Sequence, residues 1–200
     1  MPEQVIDLPD GKKLVVFETN QHPDFTGTSI NIQETLRADI PTYLVVGDNI
    51  TPANNTNLLS IFNNISTGKR IRIQRVSAYP RATGNNAIVL QIGYIDSSPS
   101  GGTDTTFSRF AADFPDNETA PDGIISKVLP TSPNPIAGIN LGGTVLNLNS
   151  SSTLRKETLF KVEGNGSALQ LRPTEDGITI RQVAGSNQGA VTLEVLFTLD

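Results

Sequence analysis

The chain has 200 residues, of which 36% are hydrophobic and 18% are charged, and its formal net charge is −5. This length predicts one large domain, or a domain with an appendage, that can bury a core without covalent cross-links. Cysteine is absent, which excludes disulfides, thiolate metal ligands and thiol catalysis. The acidic balance argues against general electrostatic binding to nucleic acid or to anionic lipid.

The N-terminal residues, MPEQVIDLPDGKK, contain neither the basic region nor the apolar region of a signal peptide. No run of 18 consecutive apolar residues occurs in the sequence. We therefore expect neither secretion by a signal peptide nor membrane insertion, and the lack of cysteine fits a protein made in a reducing cytosol.

The first 40 residues are more polar and less regular than the rest. VIDL and KLVVF flank Pro9-Asp10-Gly11, a turn sequence that predicts a β-hairpin over residues 5–17. We interpret residues 1–40 as an N-terminal arm carrying this hairpin, attached to a domain that spans residues 41–200. A small separate domain is the alternative.

Short apolar segments with strand-like alternation follow one another through the next part of the chain. The runs TYLVV (42–46), LLSIF (58–62), RIRIQRVSAY (70–79) and AIVLQIGYI (87–95) are separated by turn-rich sequences. This spacing predicts four strands, of which the last three form an antiparallel meander.

The strand at 70–79 carries three arginines. If Ile71 and Ile73 face the core, the alternation fails between Gln74 and Arg75, and a β-bulge at that point restores it. Arg70, Arg72 and Arg75 then lie outside the core. They form a solvated strand face, a subunit interface that pairs with the carboxylates of a neighbour, or a nucleic-acid surface. The acidic balance and the scarcity of nearby aromatic residues disfavour the last.

Regular alternation stops between residues 96 and 143, where six prolines exclude a single long element. We expect a long crossover at the end of a sandwich. Within it, Phe107, Phe110 and Phe114 are spaced as on one face of a helix, behind a threonine that could cap it. This spacing predicts a short helix with a core-facing aromatic stripe.

The final segment, residues 158–200, predicts four consecutive antiparallel strands that end in the alternating run AVTLEVLFTL. Short strands, tight turns and one long connection together predict an all-β fold. The expected architecture is an antiparallel β-sandwich of jelly-roll or Greek-key type with an N-terminal arm.

Few residues propose chemistry. His22 is the only histidine and lies in the polar arm, which indicates a loop residue rather than a catalytic base. The oxygen-rich group Asp113, Asp116, Asn117 and Glu118 could bind Ca²⁺ but has no EF-hand spacing, and an exposed acidic loop is the favoured explanation. No nucleotide-binding or nucleophile motif is present. The sequence therefore predicts no catalytic residue, no resident metal and no cofactor.

The segments LLSIFNNISTGKRIRIQRVSA, AIVLQIGYI and LQLRPTEDGITIRQVAGSNQGAVTLEVLFTL, in this order, carry a resemblance over residues 41–200. The chain resembles the β-sandwich structural proteins of tailed-bacteriophage virions, in particular capsid decoration (cement) proteins and related head or tail accessory proteins. The resemblance lies in the order of strands, turns and crossover rather than in a diagnostic motif.

This resemblance implies a non-enzymatic virion protein, made in the host cytoplasm, that stabilises the phage head through protein contacts. The implied partners are other copies of the chain, with a trimer favoured, and the major capsid protein or other virion proteins. The alternative is a carbohydrate- or receptor-binding jelly-roll module of a tail or head fibre. An enzyme that uses paired carboxylates is a third hypothesis, but no pair can be chosen from the sequence.

Overall fold

The computed structural model describes residues 3–7, 13–18, 30–33, 42–82, 87–105, 107–109, 122–148, 156–162, 168–185 and 189–199. The chain divides into two compact units, Met1–Ile40 and Pro41–Asp200. Among the described residues, the first unit contains one sheet and the second contains two.

The first unit contains a three-stranded antiparallel sheet formed by β1 (Glu3–Asp7), β2 (Lys13–Glu18) and β3 (Ile30–Gln33). Strand β2 is central and pairs with both neighbours. The pairing of β1 with β2 spans the place where the sequence predicts a hairpin. Strand β3 is not evident from the sequence, because four residues give too short an alternation to be distinguished from a loop.

The second unit contains twelve strands in its described residues. They are β4 (Thr42–Ile50), β5 (Asn57–Asn63), β6 (Ile71–Ala82), β7 (Ala87–Ile95), β8 (Thr103–Asp104), β9 (Phe107–Arg109), β10 (Ile124–Val128), β11 (Asn140–Asn147), β12 (Glu157–Lys161), β13 (Leu169–Leu171), β14 (Gly177–Gly185) and β15 (Ala190–Leu199). The sheet that we call sheet 1 has the order β11-β7-β14-β5-β10-β8. Sheet 2 has the order β12-β6-β15-β4-β9, and β13 also pairs with β6.

Eight of these strands give the topology of a jelly roll. Strands β12, β6, β15 and β4 lie side by side in sheet 2, and β11, β7, β14 and β5 lie side by side in sheet 1. The chain path changes sheet from β4 to β5, from β5 to β6 and from β6 to β7, and the same alternation closes the fold from β14 to β15. The predicted all-β antiparallel sandwich is confirmed, and none of the described residues is helical.

Two predicted strand pairings are wrong. Strands β5, β6 and β7 do not form a meander, because β6 lies in the opposite sheet and β14 separates β5 from β7. The four strands predicted over residues 158–200 exist, but β12 and β13 both pair with β6, and β14 and β15 lie in different sheets. Turn residues indicate where the chain reverses, but not which sheet the next strand joins. Here the connections after β5, β6, β13 and β14 each lead to a strand in the opposite sheet.

The core lies between the two sheets. Alternate residues of each strand point inward, so that Val45, Leu90 and Ile180 are fully buried between the sheets. Phe197 of β15 is also fully buried, and its ring stacks on Tyr43 of β4 with a centroid distance of 5.5 Å. Removal of this apolar surface from water supplies the main driving force for joining the two sheets.

Strand β6 contains the predicted β-bulge. Ile73 lies opposite Phe197 and Arg75 lies opposite Leu196, so that Gln74 is the extra residue. Val76, one residue after Arg75, is fully buried, as the restored alternation requires. The bulge prediction is confirmed, and its physical reason is that an unbroken alternation would have turned Arg75 into the core.

The long connection predicted at 96–143 contains β8, β9, β10 and the start of β11, and part of it lies outside the described residues. Its later portion covers the outer face of sheet 1. The Asn57 side chain donates a hydrogen bond to the Pro133 carbonyl (2.9 Å), and the Ile136 amide donates one to the Tyr94 carbonyl (2.9 Å). Asn57, at the start of β5, lies against this connection, and all seven residues of β5 are buried.

The helix predicted around the phenylalanine stripe is wrong where it can be checked. Residues Phe107–Arg109 form β9, which pairs with β4, and Phe110 and Phe114 lie outside the described residues. The edge of sheet 2 offers backbone partners to this segment, and that pairing overrides a spacing that fits a helix.

Gly93 allows the connection to lie directly on sheet 1, because a Cβ at this position would lie 2.4 Å from the Cβ of Pro135. We expect Gly93→Ala to lower the free energy of unfolding by roughly 1–3 kcal/mol through overpacking. Urea denaturation measures this loss. Pro135→Gly removes the clashing atom, so the double variant should lose less than the sum of the two single losses. Additive losses would contradict the contact.

Candidate interaction surfaces

The three arginines predicted as site residues lie in the first half of β6 or directly before it. Arg72 and Arg75 are half-buried on the outer face of sheet 2, and Arg70 is exposed just before the strand. On the neighbouring strands, Lys161 of β12 lies opposite Arg75 and Gln170 of β13 lies opposite Arg72. The structure therefore brings the three arginines together at one end of sheet 2, with a fourth cation beside them. We call this surface the arginine face.

The arginine face has few acidic partners. The Arg70 guanidinium donates a hydrogen bond to the Gln170 side chain (3.2 Å). Arg72 has an interaction partner as well. No carboxylate among the described residues forms an ion pair with Arg70 or Arg75. An arginine without such a partner can bind a carboxylate from outside in a bidentate geometry.

Apolar side chains border the arginine face. Leu196 of β15 lies opposite both Arg75 of β6 and Leu44 of β4. Val46 lies two residues along β4 on the same face, and all three apolar side chains are half-buried. Apolar residues beside arginine are the composition of many protein interfaces, in which arginine is enriched and lysine is depleted.

The other end of the outer face of sheet 2 holds charges that pair with one another. Arg81 forms a bidentate ion pair with Asp48, with both distances at 2.9 Å, and the Thr192 hydroxyl donates to the same carboxylate. The hydrogen bonds from Thr192 and Arg81 lower the pKa of Asp48. Between this pair and the arginine face, Lys156 forms an ion pair with Glu194, which lies opposite Val46. Arg70 and Arg75 thus differ from Arg81 and Lys156 in having no carboxylate partner among the described residues.

A buried polar corner closes the end of the sandwich that contains Lys69, Leu171 and the turn before β14. Asp176 is only 4% exposed, and its carboxylate accepts hydrogen bonds from the Arg172 amide (2.9 Å), the Arg172 guanidinium (2.8 and 3.0 Å) and the Tyr94 hydroxyl. The buried Asn63 side chain joins the same corner by donating to the Lys69 and Leu171 carbonyls, both at 2.9 Å. These bonds tie the β13–β14 turn to β5 and β7.

The electrostatics of this corner follow from its hydrogen bonds. Burial alone would raise the pKa of Asp176, but the hydrogen bonds from Arg172 and Tyr94 and the charge of Arg172 outweigh burial and lower it. Tyr94 and Arg172 each donate a hydrogen bond to the Asp176 carboxylate, and this bond raises the pKa of each donor. Both carboxylate oxygens are occupied within the protein. The corner is consequently suited to holding a turn rather than to acid-base chemistry.

A depression of about 330 Å³ lies on the outer face of sheet 1, between strands β7 and β14 and the connection that follows Pro135. Its lining combines the apolar residues Ile136 and Ile139 with the polar side chains of Gln91, Asn140 and Arg181. No aromatic residue lines it. The depression can accept a small apolar or uncharged polar group.

The three tyrosines do not form a shared aromatic surface. Tyr43 is buried in the core against Phe197, and Tyr94 is bound to Asp176. Tyr79 is half-buried on the outer face of sheet 2, where the Lys156 ammonium lies 5.9 Å from its ring centroid. The stacking platform typical of a sugar-binding site is thus absent from the described tyrosines.

Several residues considered from the sequence lie outside the described residues. These are His22 and the oxygen-rich group Asp113, Asp116, Asn117 and Glu118. Within the described ranges, no group of three or more histidine and acidic side chains could hold a metal ion.

Sequence reasoning missed both the Asp176 corner and the depression. The motif RPTEDG (172–177) was visible as a turn, and its arginine and aspartate four residues apart could have suggested an ion pair inside that turn. The depression has no such signal, because its lining comes from three separate segments that only the fold brings together.

Comparison of the chain with protein-family models, with curated proteins and with solved structures found no match. In the part of the chain that the structure describes, no helix is long and apolar enough to cross a membrane. Function is therefore inferred from the surfaces themselves.

The Asp176 corner predicts an acid-dependent loss of stability. The folded-state pKa of Asp176 lies below its ordinary value of 3.8, so its contribution is fully present above that pH and is lost as pH falls through the lowered value. We expect Asp176→Asn to cost roughly 1–3 kcal/mol at neutral pH, because charged hydrogen bonds are lost. Denaturant unfolding across the acid range measures the difference.

The difference between wild type and Asp176→Asn should narrow as pH falls below 3.8. Tyr94→Phe is the matched control, since it removes one hydrogen bond to the carboxylate and leaves the charge and the Arg172 bonds in place. A difference between wild type and Asp176→Asn that is constant with pH would show that the carboxylate is not stabilised in its charged form.

Proposed function

We propose that this protein is a non-enzymatic virion structural protein, most simply a capsid decoration (cement) protein of a tailed bacteriophage. In this role it stabilises the phage head through protein contacts, as a homo-oligomer for which a trimer is favoured. Its partners are the major capsid protein or other virion proteins, and it reaches the virion from the host cytoplasm. The resemblance of residues 41–200 to such proteins motivates the proposal.

The arginine face is the observation that carries this proposal. It is a rigid strand surface in which Arg70 and Arg75 have no described carboxylate partner and half-buried leucines lie beside them. A jelly roll holds such a surface in fixed geometry, and a partner with acidic side chains would complete it. Jelly rolls also occur in viral capsid proteins, which supports the proposal by analogy of fold.

The chemistry of the described residues supports a binding role. The buried carboxylate of Asp176 is held by Arg172 and Tyr94, and the carboxylates of Asp48 and Glu194 are paired with Arg81 and Lys156.

A carbohydrate- or receptor-binding module of a fibre is the second candidate, and the depression on sheet 1 is the observation that favours it. Jelly rolls also serve as lectin domains, and Gln91 and Asn140 offer amide groups that could bond to hydroxyls. The lack of aromatic lining weighs against this candidate. A glycan-binding screen with the purified protein would separate the two, because a decoration protein needs no glycan.

The proposed role predicts that reversing charge on the arginine face weakens attachment to phage heads. We expect Arg75→Glu to reduce attachment to heads that lack the protein by at least about tenfold, which corresponds to about 1.4 kcal/mol. Co-sedimentation with purified heads of the phage that encodes the chain measures occupancy.

Lys127→Glu is the control for this experiment, because Lys127 lies in sheet 1 and is paired with Asp104 outside the arginine face. Attachment of Arg75→Glu at the wild-type level would remove the arginine face from the proposal. Failure of the wild-type protein to sediment with heads would contradict the virion role itself.

A further inference from the structure

The sequence contains a long stretch without charge. From residue 128 to residue 154 there is no Asp, Glu, Lys or Arg. Since 18% of the chain is charged, a segment of this length would ordinarily carry about five such residues. The described part, residues 128–148, comprises the connection over sheet 1 and strand β11. We call residues 128–148 the charge-free strip.

The exposed apolar side chains concentrate in the same place. The large hydrophobic residues that are exposed in the described structure are Leu129 (39%), Ile136 (37%), Ile139 (43%) and Val145 (58%). All four belong to the charge-free strip. Depletion of charge together with exposed apolar side chains is the compositional mark of the centre of a protein interface.

Strand β11 adds a backbone feature to the strip. It lies at the edge of sheet 1, pairs with β7 on one side, and has no described strand hydrogen-bonded along its other side. At Gly142 the backbone of Leu159 in β12 lies close to β11, so the open part of the edge is the stretch after Gly142. Soluble proteins protect such edges with charged side chains or proline, and β11 has neither. A bulge lies at its start, between Asn140 and Gly142, and the residues from Gly143 to Asn147 continue in regular register.

Two depressions make the surface of the strip uneven. The first, of about 330 Å³, is lined by Ile136 and Ile139, and the second, of about 500 Å³, runs along β7 and β11 and is lined by Val145. Arg181 is the one charged residue lining either depression, and its guanidinium donates to the Asn55 carbonyl (2.9 Å). The strip is thus uneven and itself uncharged, and its exposed side chains are both apolar and polar.

We infer that the charge-free strip is the surface through which copies of this chain associate with one another. Each copy carries a net charge of −5, so two copies repel one another, and a contact made of uncharged side chains adds no further like-charge pairs. Of the 21 described residues of the strip, 18 are exposed or half-buried, and a specific interface uses about 20–30 residues on each side.

This inference rests on the homo-oligomer part of the proposed function and assigns the contact to the strip rather than to the arginine face. The two surfaces then have separate tasks. The charge-free strip joins copies, and the arginine face binds the acidic surface of the shell. Variants on the two surfaces should consequently fail in different assays.

The test compares solution masses by light scattering at near-physiological salt. We expect Val145→Lys to dissociate the wild-type oligomer, because it would bury an unpaired charge at the contact. Thr67→Lys is the matched control, since Thr67 is an exposed residue of the connection from β5 to β6, outside the charge-free strip. Thr67→Lys and Arg75→Glu should both keep the wild-type mass.

Three outcomes would overturn the inference: a wild-type protein that stays monomeric at high concentration, a Val145→Lys variant that keeps the oligomer, and dissociation by Thr67→Lys as well. The first would leave attachment to phage heads, and with it the virion role, to be decided by co-sedimentation. Retention of the oligomer by Val145→Lys, with dissociation by Arg75→Glu, would transfer the contact to the arginine face.

A second measurement does not depend on how the lysine variant folds. The chain has no cysteine, so Val145→Cys and Thr67→Cys each introduce a single thiol. Labelling of Val145→Cys by a thiol reagent should be several-fold slower at a protein concentration where copies associate than after dilution. Labelling of Thr67→Cys should be independent of concentration. Equal labelling of Val145→Cys under both conditions would contradict the inference.

Discussion

The fold depends on the burial of apolar side chains between two sheets. Most strands of these sheets are followed in the chain by a strand of the opposite sheet. Strands β4, β5, β6 and β7 fall in opposite sheets in turn, so neither sheet can be completed before the other is present. Phe197 illustrates this dependence. Its ring stacks on Tyr43 in the same sheet, and both side chains are buried in the core that they share with the residues of sheet 1. Most contacts are consequently between residues far apart in the sequence, and slow, cooperative folding is expected.

The same alternation leaves the sandwich with two different outer faces. Sheet 2 carries charge on its outer face, with the ion pair of Arg81 and Asp48 at one end and the arginine face at the other. Sheet 1 is covered by the uncharged connection, which Asn57 and Gly93 hold against the strands. A rigid body with a basic patch on one outer face and an uncharged strip on the other can make two unlike protein contacts.

Sequence patterns identified the local features of this fold and failed on the long-range ones. The bulge beside Arg75 was predictable, because a charged residue cannot occupy the core position that unbroken alternation would give it. Strand partners were not predictable, since the alternation in β5 and β6 is the same whether they pair with each other or lie in opposite sheets. Phe107 was assigned to a helix because three-residue spacing fits a helix face, and only the presence of β4 beside it selects a strand.

The candidate surfaces divide in the same way. The arginine face could be proposed from one strand alone, because Arg70, Arg72 and Arg75 lie close together in sequence. The Asp176 corner needed Tyr94 and Asn63 from distant strands. In the charge-free strip the absence of charge is visible in the sequence, but its exposure depends on the position of β11 at the edge of sheet 1. The sequence shows which residues lack charge, but only the fold shows which of them are exposed.

Hydrogen–deuterium exchange of the wild-type protein at high and low concentration tests the central claim most directly, because it observes the backbone of the charge-free strip without any substitution. The amides from Gly143 to Asn147 should exchange more slowly at high concentration, where a second copy covers the edge of β11, and those of β6 should not change. Equal exchange rates for Gly143 to Asn147 at both concentrations, in a protein whose mass shows that copies have associated, would contradict the account.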